Sequence, residues 1–221
     1  MKVAVLFSGG KDSCLALHKA KKMGYEVCCL ISILPSSYDS FMYHKPNLKL
    51  LKKQAEMLGL KLILQKSSSK EEKEVDDLKK LFSKIQDDIQ GIVIGGIASN
   101  YQGERIKKIA EKFGFEVIAP LWNYSSEKVW KDLFKEKFKI VLTKISCDGL
   151  PKEFLGKIID KKKFNELKKL SEQNKFRIDF EGGEAESAVL MMPGFKREIK
   201  IKGKIKSEDK FRHFFEIEKI L

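Results

Sequence analysis

The sequence predicts an α/β protein with a doubly wound, mostly parallel five-stranded sheet and a smaller α+β part at its C-terminal end. Over the first two-thirds of the chain, short apolar runs alternate with segments whose apolar residues recur at helical spacing. After about residue 138 this alternation stops, and strand-like runs flank a single lysine-rich helical segment. We therefore expect two domains, residues 1–138 and residues 139–221.

The elements follow in order along the chain. Residues 3–7 form an apolar run whose length and composition indicate a buried first strand. Gly59 stands where a helix with apolar residues at helical spacing should end. Further strands of the parallel sheet are predicted at residues 27–33, 60–64, 91–94 and 116–118, with helices between them. The C-terminal part is predicted to contain strands at 140–142 and 188–192, a helix at 161–174, and a closing strand pair at 198–201 and 211–217.

The composition favours a globular protein and narrows its partners. The 221 residues include 44 basic and 31 acidic side chains, so the net charge is 44 − 31 = +13. Only four of the basic residues are arginines, and the lysines alternate with glutamates, which indicates solvated helix faces more than nucleic-acid binding. A nucleic-acid partner is therefore not favoured, although it stays open. The four cysteines form no CxxC pair and are expected to be reduced thiols.

The expected location is the cytoplasm, with no attachment to a membrane. No apolar run approaches the roughly 20 residues that cross a bilayer. The first residues indicate a strand, because a signal peptide would have a longer apolar stretch. The sequence does not decide the oligomeric state, and a homodimer is one alternative.

A glycine-rich turn follows the first strand. It reads Ser8-Gly9-Gly10-Lys11-Asp12-Ser13 and leads into the first helix. Ligands of open parallel sheets bind beyond the carboxyl ends of the strands, and a helix N-terminus attracts phosphate. The two glycines let backbone N–H groups approach phosphate oxygens, Lys11 adds a cation, and Asp12 is suited to Mg²⁺. The turn is neither Walker A nor GxGxxG, and it predicts binding of a phosphate group.

Two further segments offer polar side chains near the ends of strands. Residues 40–47 follow the second strand and contain His44, which is suited to contact phosphate or substrate. Gly95 and Gly96 end the fourth strand and allow close approach of a nucleotide. The start of the next helix carries side chains suited to ribose, α-phosphate or a substrate carboxylate: Ser99, Tyr101, Gln102 and Arg105.

An acidic segment stands out in the basic C-terminal part. Residues 181–187 read Glu-Gly-Gly-Glu-Ala-Glu-Ser. Its carboxylates could bind ammonium and accept its proton, or hold Mg²⁺. A solvated turn before a strand is the alternative interpretation. The residues concerned are Glu181, Gly182, Gly183, Glu184 and Glu186.

The glycine-rich turn resembles that of the PP-loop ATP pyrophosphatase superfamily, whose SGGxDS loop holds the β- and γ-phosphates of ATP. With the segments above and residues 120–122 and 153–157, the whole chain is similar, in order, to the diphthine–ammonia ligase family. That resemblance implies the last step of diphthamide synthesis on elongation factor 2. The carboxylate of diphthine would be adenylated by ATP with Mg²⁺, pyrophosphate would leave, and ammonium would supply the amide nitrogen. The candidate catalytic residues are Lys11, Asp12, Glu184 and Glu186.

One segment departs from the pattern of that family, which commonly reads Gly-Glu-Gly-Gly-Glu-Phe-Glu-Thr. Here Phe180 replaces the first glycine, Ala185 the phenylalanine and Ser187 the threonine. The carboxylates and the paired glycines are retained. Two alternatives stay open: a tRNA-modifying PP-loop enzyme, which would suit the basic charge, and a non-catalytic ATP-binding protein on the same fold.

Overall fold

The structure is a computed structural model that describes residues 1–35, 47–67, 71–96 and 100–221. By their contacts, these residues group into two compact units. The first unit comprises Met1–Ser8 and Asp12–Asn123, and the second comprises Gly9–Lys11 and Tyr124–Leu221. Three residues of the glycine-rich turn therefore group with the C-terminal residues. This grouping does not test the domain boundary expected at residue 138, which stays a prediction.

The first unit contains the predicted parallel sheet, with the strand order β3-β2-β1-β4-β5. Its strands are β1 (Lys2–Leu6), β2 (Glu26–Pro35), β3 (Lys61–Ser67), β4 (Gly91–Val93) and β5 (Glu116–Ile118). Its helices are α1 (Lys11–Lys22), α2 (Leu48–Leu58), α3 (Glu71–Ser83) and α4 (Asn100–Lys112). The strand order reverses between β1 and β4, and this switch point is where ligands of such sheets bind. The predicted doubly wound fold is confirmed.

An apolar core stabilises the first unit. Side chains of the central strands pack with those of α3 and α4 in one buried cluster that includes Ile31, Leu78 and Ile92. Phe82 is fully buried, and its ring meets Phe113 and Phe115 edge-on at centroid distances of 5.9 and 5.4 Å. Burial of one such aromatic side chain contributes on the order of 1.5–3 kcal/mol.

Local signals fix the ends of α2. The Asn47 side chain accepts a hydrogen bond from the Leu50 N–H at 3.0 Å, an N-cap that contributes about 1 kcal/mol. Gly59 follows the helix in the left-handed conformation with φ 65°, which confirms the predicted end.

The second unit contains a four-stranded antiparallel sheet with the order β7-β6-β9-β8. Its strands are β6 (Lys139–Ser146), β7 (Ala185–Met191), β8 (Ile201–Ser207) and β9 (Arg212–Ile220). Its helices are α5 (Ser126–Lys135) and α6 (Lys161–Asn174), with a 3-10 turn at Lys152–Phe154. No helix in the described ranges is both long enough and apolar enough to cross a bilayer.

Two strands of the second unit begin at residues other than those predicted. The first closing strand was expected at residues 198–201, but β8 begins at Ile201, because pairing with β9 over seven residues decides its position. The start of β7 is Ala185, three residues before the predicted residue 188. Glu186 therefore lies in a strand, paired in register with Lys144 of β6, and not in the acidic loop where the sequence placed it.

Helix α5 was not anticipated from the sequence, yet it supplies much of the second core. Ser125 caps it by accepting the Lys128 N–H at 3.2 Å. Trp130 is fully buried, with Phe134 and Phe164 at centroid distances of 5.8 and 5.1 Å. Its indole N–H donates to the Ile178 carbonyl at 2.8 Å, so burial leaves that donor satisfied.

Candidate functional site

The glycine-rich turn combines a tight bend with the start of a helix. Gly9 has φ 76°, a conformation that costs other residues roughly 1–2 kcal/mol. The Ser8 N–H donates to the Ser13 hydroxyl at 3.3 Å, and the two serine hydroxyls are 3.1 Å apart. Helix α1 begins at Lys11, so the N–H groups of its first turn lie in the motif itself. Such an arrangement offers backbone donors and a helix N-terminus to an anion.

Gly95, after β4, lies directly against the start of α1. A methyl group in place of its hydrogen would be 2.7 Å from the Ser13 backbone N and 2.9 Å from the Asp12 carbonyl carbon. A methyl group on Gly96 would meet nothing within 4 Å. The structure therefore places Gly95 beside the turn and requires the absence of a side chain there.

Lys11 is held within the second unit. Its side chain is 2% exposed, and its Nζ donates to the Asp179 carbonyl at 2.5 Å. The same Nζ lies 5.4 Å from the centroid of the Phe180 ring, within the range of a cation–π contact. Its backbone N–H donates to the Ser187 hydroxyl at 3.1 Å. The cation of the motif thus has a defined position beside the start of β7.

Asp179 is the most densely hydrogen-bonded carboxylate near Lys11. It is 4% exposed and accepts bonds from the Arg177 guanidinium at 2.9 and 3.0 Å, the Ser126 hydroxyl at 2.7 Å and the Glu181 N–H at 3.0 Å. Burial by itself would raise the pKa of Asp179, but these hydrogen bonds outweigh it and lower the pKa to about 2. The carboxylate is therefore ionised throughout the neutral range.

The acidic segment is a turn over Glu181–Glu184 that leads into β7. The Arg177 N–H donates to Glu184 Oε1 at 3.2 Å. Glu184 Oε2 is buried and has no hydrogen-bond partner in the described part of the chain. A methyl group on Gly182 would lie 2.6 Å from Glu184 Oε1, so the glycine makes room for this carboxylate. Gly183 closes the turn by donating to the Phe180 carbonyl at 3.1 Å.

Glu186, on β7, has a cationic neighbour on the adjacent strand. Lys144 Nζ lies 3.2 Å from Glu186 Oε1, and each side chain is about one-fifth exposed. The same Nζ is 5.7 Å from the centroid of the Phe214 ring. This ion pair gives Glu186 a fixed orientation on the sheet.

The remaining candidates are placed unevenly. Arg105 lies in the second turn of α4 and is half-buried. His44 and Ser99 lie outside the described residues, as do the side chains of Tyr101 and Gln102.

Asp12 is half-buried in the first turn of α1. The described residues contain no group of three or more His, Cys, Asp or Glu side chains arranged to hold a metal ion. One carboxylate beside a glycine-rich turn at a helix start fits Mg²⁺ that is held mainly by phosphates.

Sequence reasoning missed Ser126, Arg177 and Asp179. Two features of the sequence pointed to this pair. Arg177 is one of only four arginines and stands two residues before Asp179, and both residues lie just before the acidic segment. The bond from Ser126, 53 residues away in sequence, was beyond local inference.

The low pKa of Asp179 predicts an acid-sensitive contribution to stability. Its ordinary pKa of 3.8 falls to about 2 in the folded chain, so the stabilisation is complete above pH 3.8 and is lost as pH falls through about 2. Its size is about 2 kcal/mol at most, because Arg177 is half-exposed and solvent weakens its charge. Urea unfolding at several pH values should show a flatter pH dependence for Asp179→Asn than for the wild type. Asp87→Asn, at an exposed aspartate, is the control; parallel curves for the wild type and Asp179→Asn would contradict the prediction.

Comparisons with known proteins place the chain in one family. The diphthamide synthase N-terminal domain matches residues 1–117, and the diphthamide synthase C-terminal domain matches residues 125–221. The chain is 30% identical to the diphthine–ammonia ligase of Schizosaccharomyces pombe over 90% of its length, but spans 36% of that relative. It is 29% and 28% identical to the diphthine–ammonia ligases of Bos taurus and Homo sapiens over 90% of its length, and spans 82% of each.

Among solved structures, a predicted subunit of tRNA methyltransferase from Methanocaldococcus jannaschii aligns over 90% of the chain with a TM-score of 0.44 and 19% identity. That score supports no conclusion about function. The family match covers both units and includes the glycine-rich turn and the acidic turn. The chain belongs to the diphthamide synthase family.

Proposed function

We propose that this chain is an AMP-forming diphthine–ammonia ligase that converts diphthine on elongation factor 2 into diphthamide in the cytoplasm. Membership of the diphthamide synthase family identifies it as a ligase that forms a C–N bond. The observation that carries the proposal is the Ser8–Ser13 motif at the switch point of a parallel sheet, with Gly95 against its backbone. This geometry suits a bound polyphosphate, which is the part of ATP that an adenylating enzyme must hold.

The first step of the proposed reaction activates the carboxylate. A carboxylate oxygen of diphthine bonds to the α-phosphorus of ATP, and the bond from that phosphorus to the pyrophosphate oxygen breaks. The N–H groups of Gly9 and Gly10, the hydroxyls of Ser8 and Ser13, and Lys11 would bind the departing pyrophosphate. Fixed donors stabilise the negative charge as it develops, which makes pyrophosphate a better leaving group.

Mg²⁺ would be held by Asp12 and by the phosphates of ATP, in the manner usual for nucleotide sites. When bound, it neutralises charge on the phosphates. Asp12 lies within the first turn of α1, so its carboxylate is carried by the same helix start that faces the phosphates.

The second step forms the amide. Ammonium gives up a proton to a carboxylate, the ammonia nitrogen bonds to the acyl carbon, and the bond from that carbon to the AMP oxygen breaks. A second proton leaves the nitrogen as the amide forms. Glu184 and Glu186 are the proposed carboxylates, because Glu184 has a buried oxygen and Glu186 is held in a fixed orientation by Lys144.

The other candidates have supporting roles in this proposal. Gly95 and Gly96 let the nucleotide approach the sheet, and Arg105 would bind a phosphate or carboxylate oxygen. The paired glycines of the acidic turn shape it, and Glu181 adds to its negative charge. Contacts with phosphate or substrate are proposed for His44, Ser99, Tyr101 and Gln102.

The state of the thiols disfavours tRNA thiolation as a second function. Burial is the largest influence on each cysteine and raises the pKa of all four, that of Cys29 and of Cys147 to about 11. A reactive cysteine needs the opposite shift, a lower pKa that gives a thiolate at neutral pH.

The surface charge of the second unit also disfavours binding of RNA. Lysines of β8 are matched by glutamates of β9, as in Lys204–Glu218 at 2.7 Å and Lys206–Glu216 at 2.6 Å. Such pairing reduces the positive field that would attract RNA.

The proposed function is tested with elongation factor 2 that carries diphthine. Incubation with the protein, ATP, Mg²⁺ and ammonium should convert acid to amide, detected by mass spectrometry, with AMP and pyrophosphate in equal amounts. A heavy-oxygen label in the diphthine carboxylate should appear in AMP, because that oxygen bonds to the α-phosphorus. Formation of AMP only when tRNA replaces the elongation factor would favour the tRNA-modifying alternative. ATP binding with no turnover on either substrate would favour the non-catalytic one.

Replacement of Glu186 by glutamine should impair amide formation more than ATP binding. The amide cannot accept the proton of ammonium, so we expect about a 100-fold loss of amide formation with less than about a threefold change in ATP affinity. Single-turnover assays and calorimetry measure the two quantities. Glu218→Gln, which also breaks a cross-strand ion pair with a lysine, is the matched control and should leave both unchanged. Equal loss of ATP binding and amide formation would remove Glu186 from the acceptor side.

Gly182→Ala should displace the Glu184 carboxylate without unfolding the chain. The added methyl group would meet Glu184 Oε1 at 2.6 Å, and this flexible side chain end can move aside, so stability should fall by less than about 1 kcal/mol. Amide formation should fall about tenfold or more. In a Glu184→Ala background the same substitution should have no further effect on turnover. An additional loss in that background would show that Gly182 acts by another route.

A further inference from the structure

We infer that Asp179 is a positioning residue that fixes the Lys11 ammonium through its own backbone carbonyl. The effect of Asp179 on catalysis rests on the proposed function, whereas the effect of Asp179 on Lys11 is a property of the folded chain. None of the carboxylate hydrogen bonds described above goes to the glycine-rich turn. Asp179 contacts that turn through its backbone carbonyl oxygen, which is 2.5 Å from Lys11 Nζ.

Lys11 needs such a constraint. A lysine side chain has four rotatable bonds and loses up to about 2 kcal/mol of conformational free energy when it is ordered. Here the side chain is 2% exposed, so its ammonium depends on acceptors within the protein. The Asp179 carbonyl is such an acceptor, with its oxygen beside Lys11 Nζ. A change in the direction of that carbonyl would therefore take an acceptor away from the ammonium.

The direction of the carbonyl is set by the Asp179 side chain. The carboxylate accepts two bonds from the Arg177 guanidinium, one from the Ser126 hydroxyl and one from the Glu181 N–H. These partners come from helix α5 and from both sides of Asp179 in sequence. Displacement of the carboxylate would break several charge-assisted hydrogen bonds together, so Asp179 and the backbone on both sides of it are held in place.

Both neighbours of Asp179 are also anchored. The Ile178 carbonyl accepts the Trp130 indole N–H at 2.8 Å. Phe180 adopts the left-handed conformation, with φ 64°, which costs a residue with a side chain about 1–2 kcal/mol. Its ring is nevertheless buried, edge-on to Trp130 at 6.4 Å, and this packing holds the strained residue in place. The Asp179 turn, residues 177–181, is thus fixed at each peptide around the carbonyl that binds Lys11.

The same carboxylate also fixes the start of the acidic turn, through the Glu181 N–H. One buried side chain therefore sets the position of the proposed pyrophosphate-binding cation and of the turn that carries Glu184. Loss of Asp179 should reduce turnover with bound ATP more than it weakens ATP binding, because misplacement of existing groups lowers the rate of the chemical step.

The experiment measures the exposure of Lys11 without reference to catalysis. Wild-type protein and Asp179→Ala are treated with a limiting amine-acetylating reagent, and the rate at each lysine is read by peptide mass spectrometry. We expect acetylation of Lys11 to be about tenfold faster in the variant, through local opening of the turn. Lys21, exposed on the same helix, should react at the same rate in both proteins. Alkylation of Cys14, a fully buried thiol of that helix, reports whether the fold is intact.

A milder variant keeps the inference falsifiable if Asp179→Ala exposes Cys14. Ser126→Ala removes one hydrogen bond to the carboxylate and should accelerate Lys11 acetylation by a smaller factor with Cys14 still protected. An unchanged Lys11 rate while Cys14 stays protected, in Asp179→Ala or, if that variant unfolds, in Ser126→Ala, overturns the inference. Turnover is then compared: kcat for AMP formation should fall more than the KM for ATP rises. If the wild type forms no AMP, the proposed function fails, while the acetylation result still decides the role of Asp179.

Discussion

Lys11→Ala should lower the rate of AMP formation about 100- to 1000-fold, the usual loss when one fixed donor to a developing negative charge is removed. Lys11 is the cation of the Ser8–Ser13 motif, and its ammonium is ordered by the Asp179 carbonyl and the Phe180 ring. Loss of the cation leaves the departing pyrophosphate with backbone and hydroxyl donors alone. Rapid-quench assays with saturating ATP measure the effect on the chemical step directly.

Two further variants separate chemistry from folding. Lys11→Met keeps most of the buried volume but no charge, so it should be as inactive as alanine and closer to the wild type in stability. Lys21→Ala, at an exposed lysine of the same helix, should have full activity. Retention of wild-type AMP formation by Lys11→Met would show that the ammonium has no part in the activation step.

Gly95→Ala should both destabilise the chain and weaken ATP binding. The new methyl group would lie within 3 Å of three backbone atoms of Asp12 and Ser13, and backbone cannot yield as a flexible side chain can. The start of α1 must therefore shift, at a cost of about 1–3 kcal/mol in the free energy of unfolding. The N–H groups that we propose to bind the phosphates shift with it, so we expect ATP affinity to fall by at least about tenfold. Denaturant unfolding and calorimetric titration with ATP give the two values.

Gly96→Ala is the matched control for this prediction. It makes the same chemical change one residue later, where a methyl group would meet nothing within 4 Å. Its free energy of unfolding should stay close to that of the wild type, because no neighbouring atom has to move to make room for the methyl group. If the two alanine variants were equally impaired, the close approach of Gly95 to α1 would not be the reason that a glycine is needed.

The parallel sheet was predictable because its signals are local. Each of β1 to β5 overlaps an apolar run of the sequence. Gly59 ends α2 in the left-handed conformation, which the preference for glycine after a helix was enough to predict. The α+β part was harder. The position of β8 depends on its pairing with β9, and its lysine-rich sequence resembles a surface segment. Helix α5 is ten residues long, with a short apolar face that a single-sequence pattern does not distinguish from a loop.

The candidate site, like the fold, has parts that local sequence predicts and parts that depend on distant residues. The Ser8–Ser13 motif was identified from consecutive residues, and the structure gives it the turn and helix start that were expected. The surroundings of Lys11 were not foreseeable, because the Asp179 carbonyl is 168 residues away in sequence. Glu186 was expected in a loop and lies in β7, since strand pairing with β6 extends further than the apolar run alone indicated.

The identity of the nucleotide product tests the central claim most directly. ATP labelled in the α-phosphate is incubated with the protein, Mg²⁺, ammonium and elongation factor 2 that carries diphthine, and the products are separated by chromatography. We expect labelled AMP, formed in step with the amide and dependent on both the diphthine carboxylate and Lys11. Labelled ADP would contradict it, because cleavage between the β- and γ-phosphates would mean that no acyl-adenylate is formed.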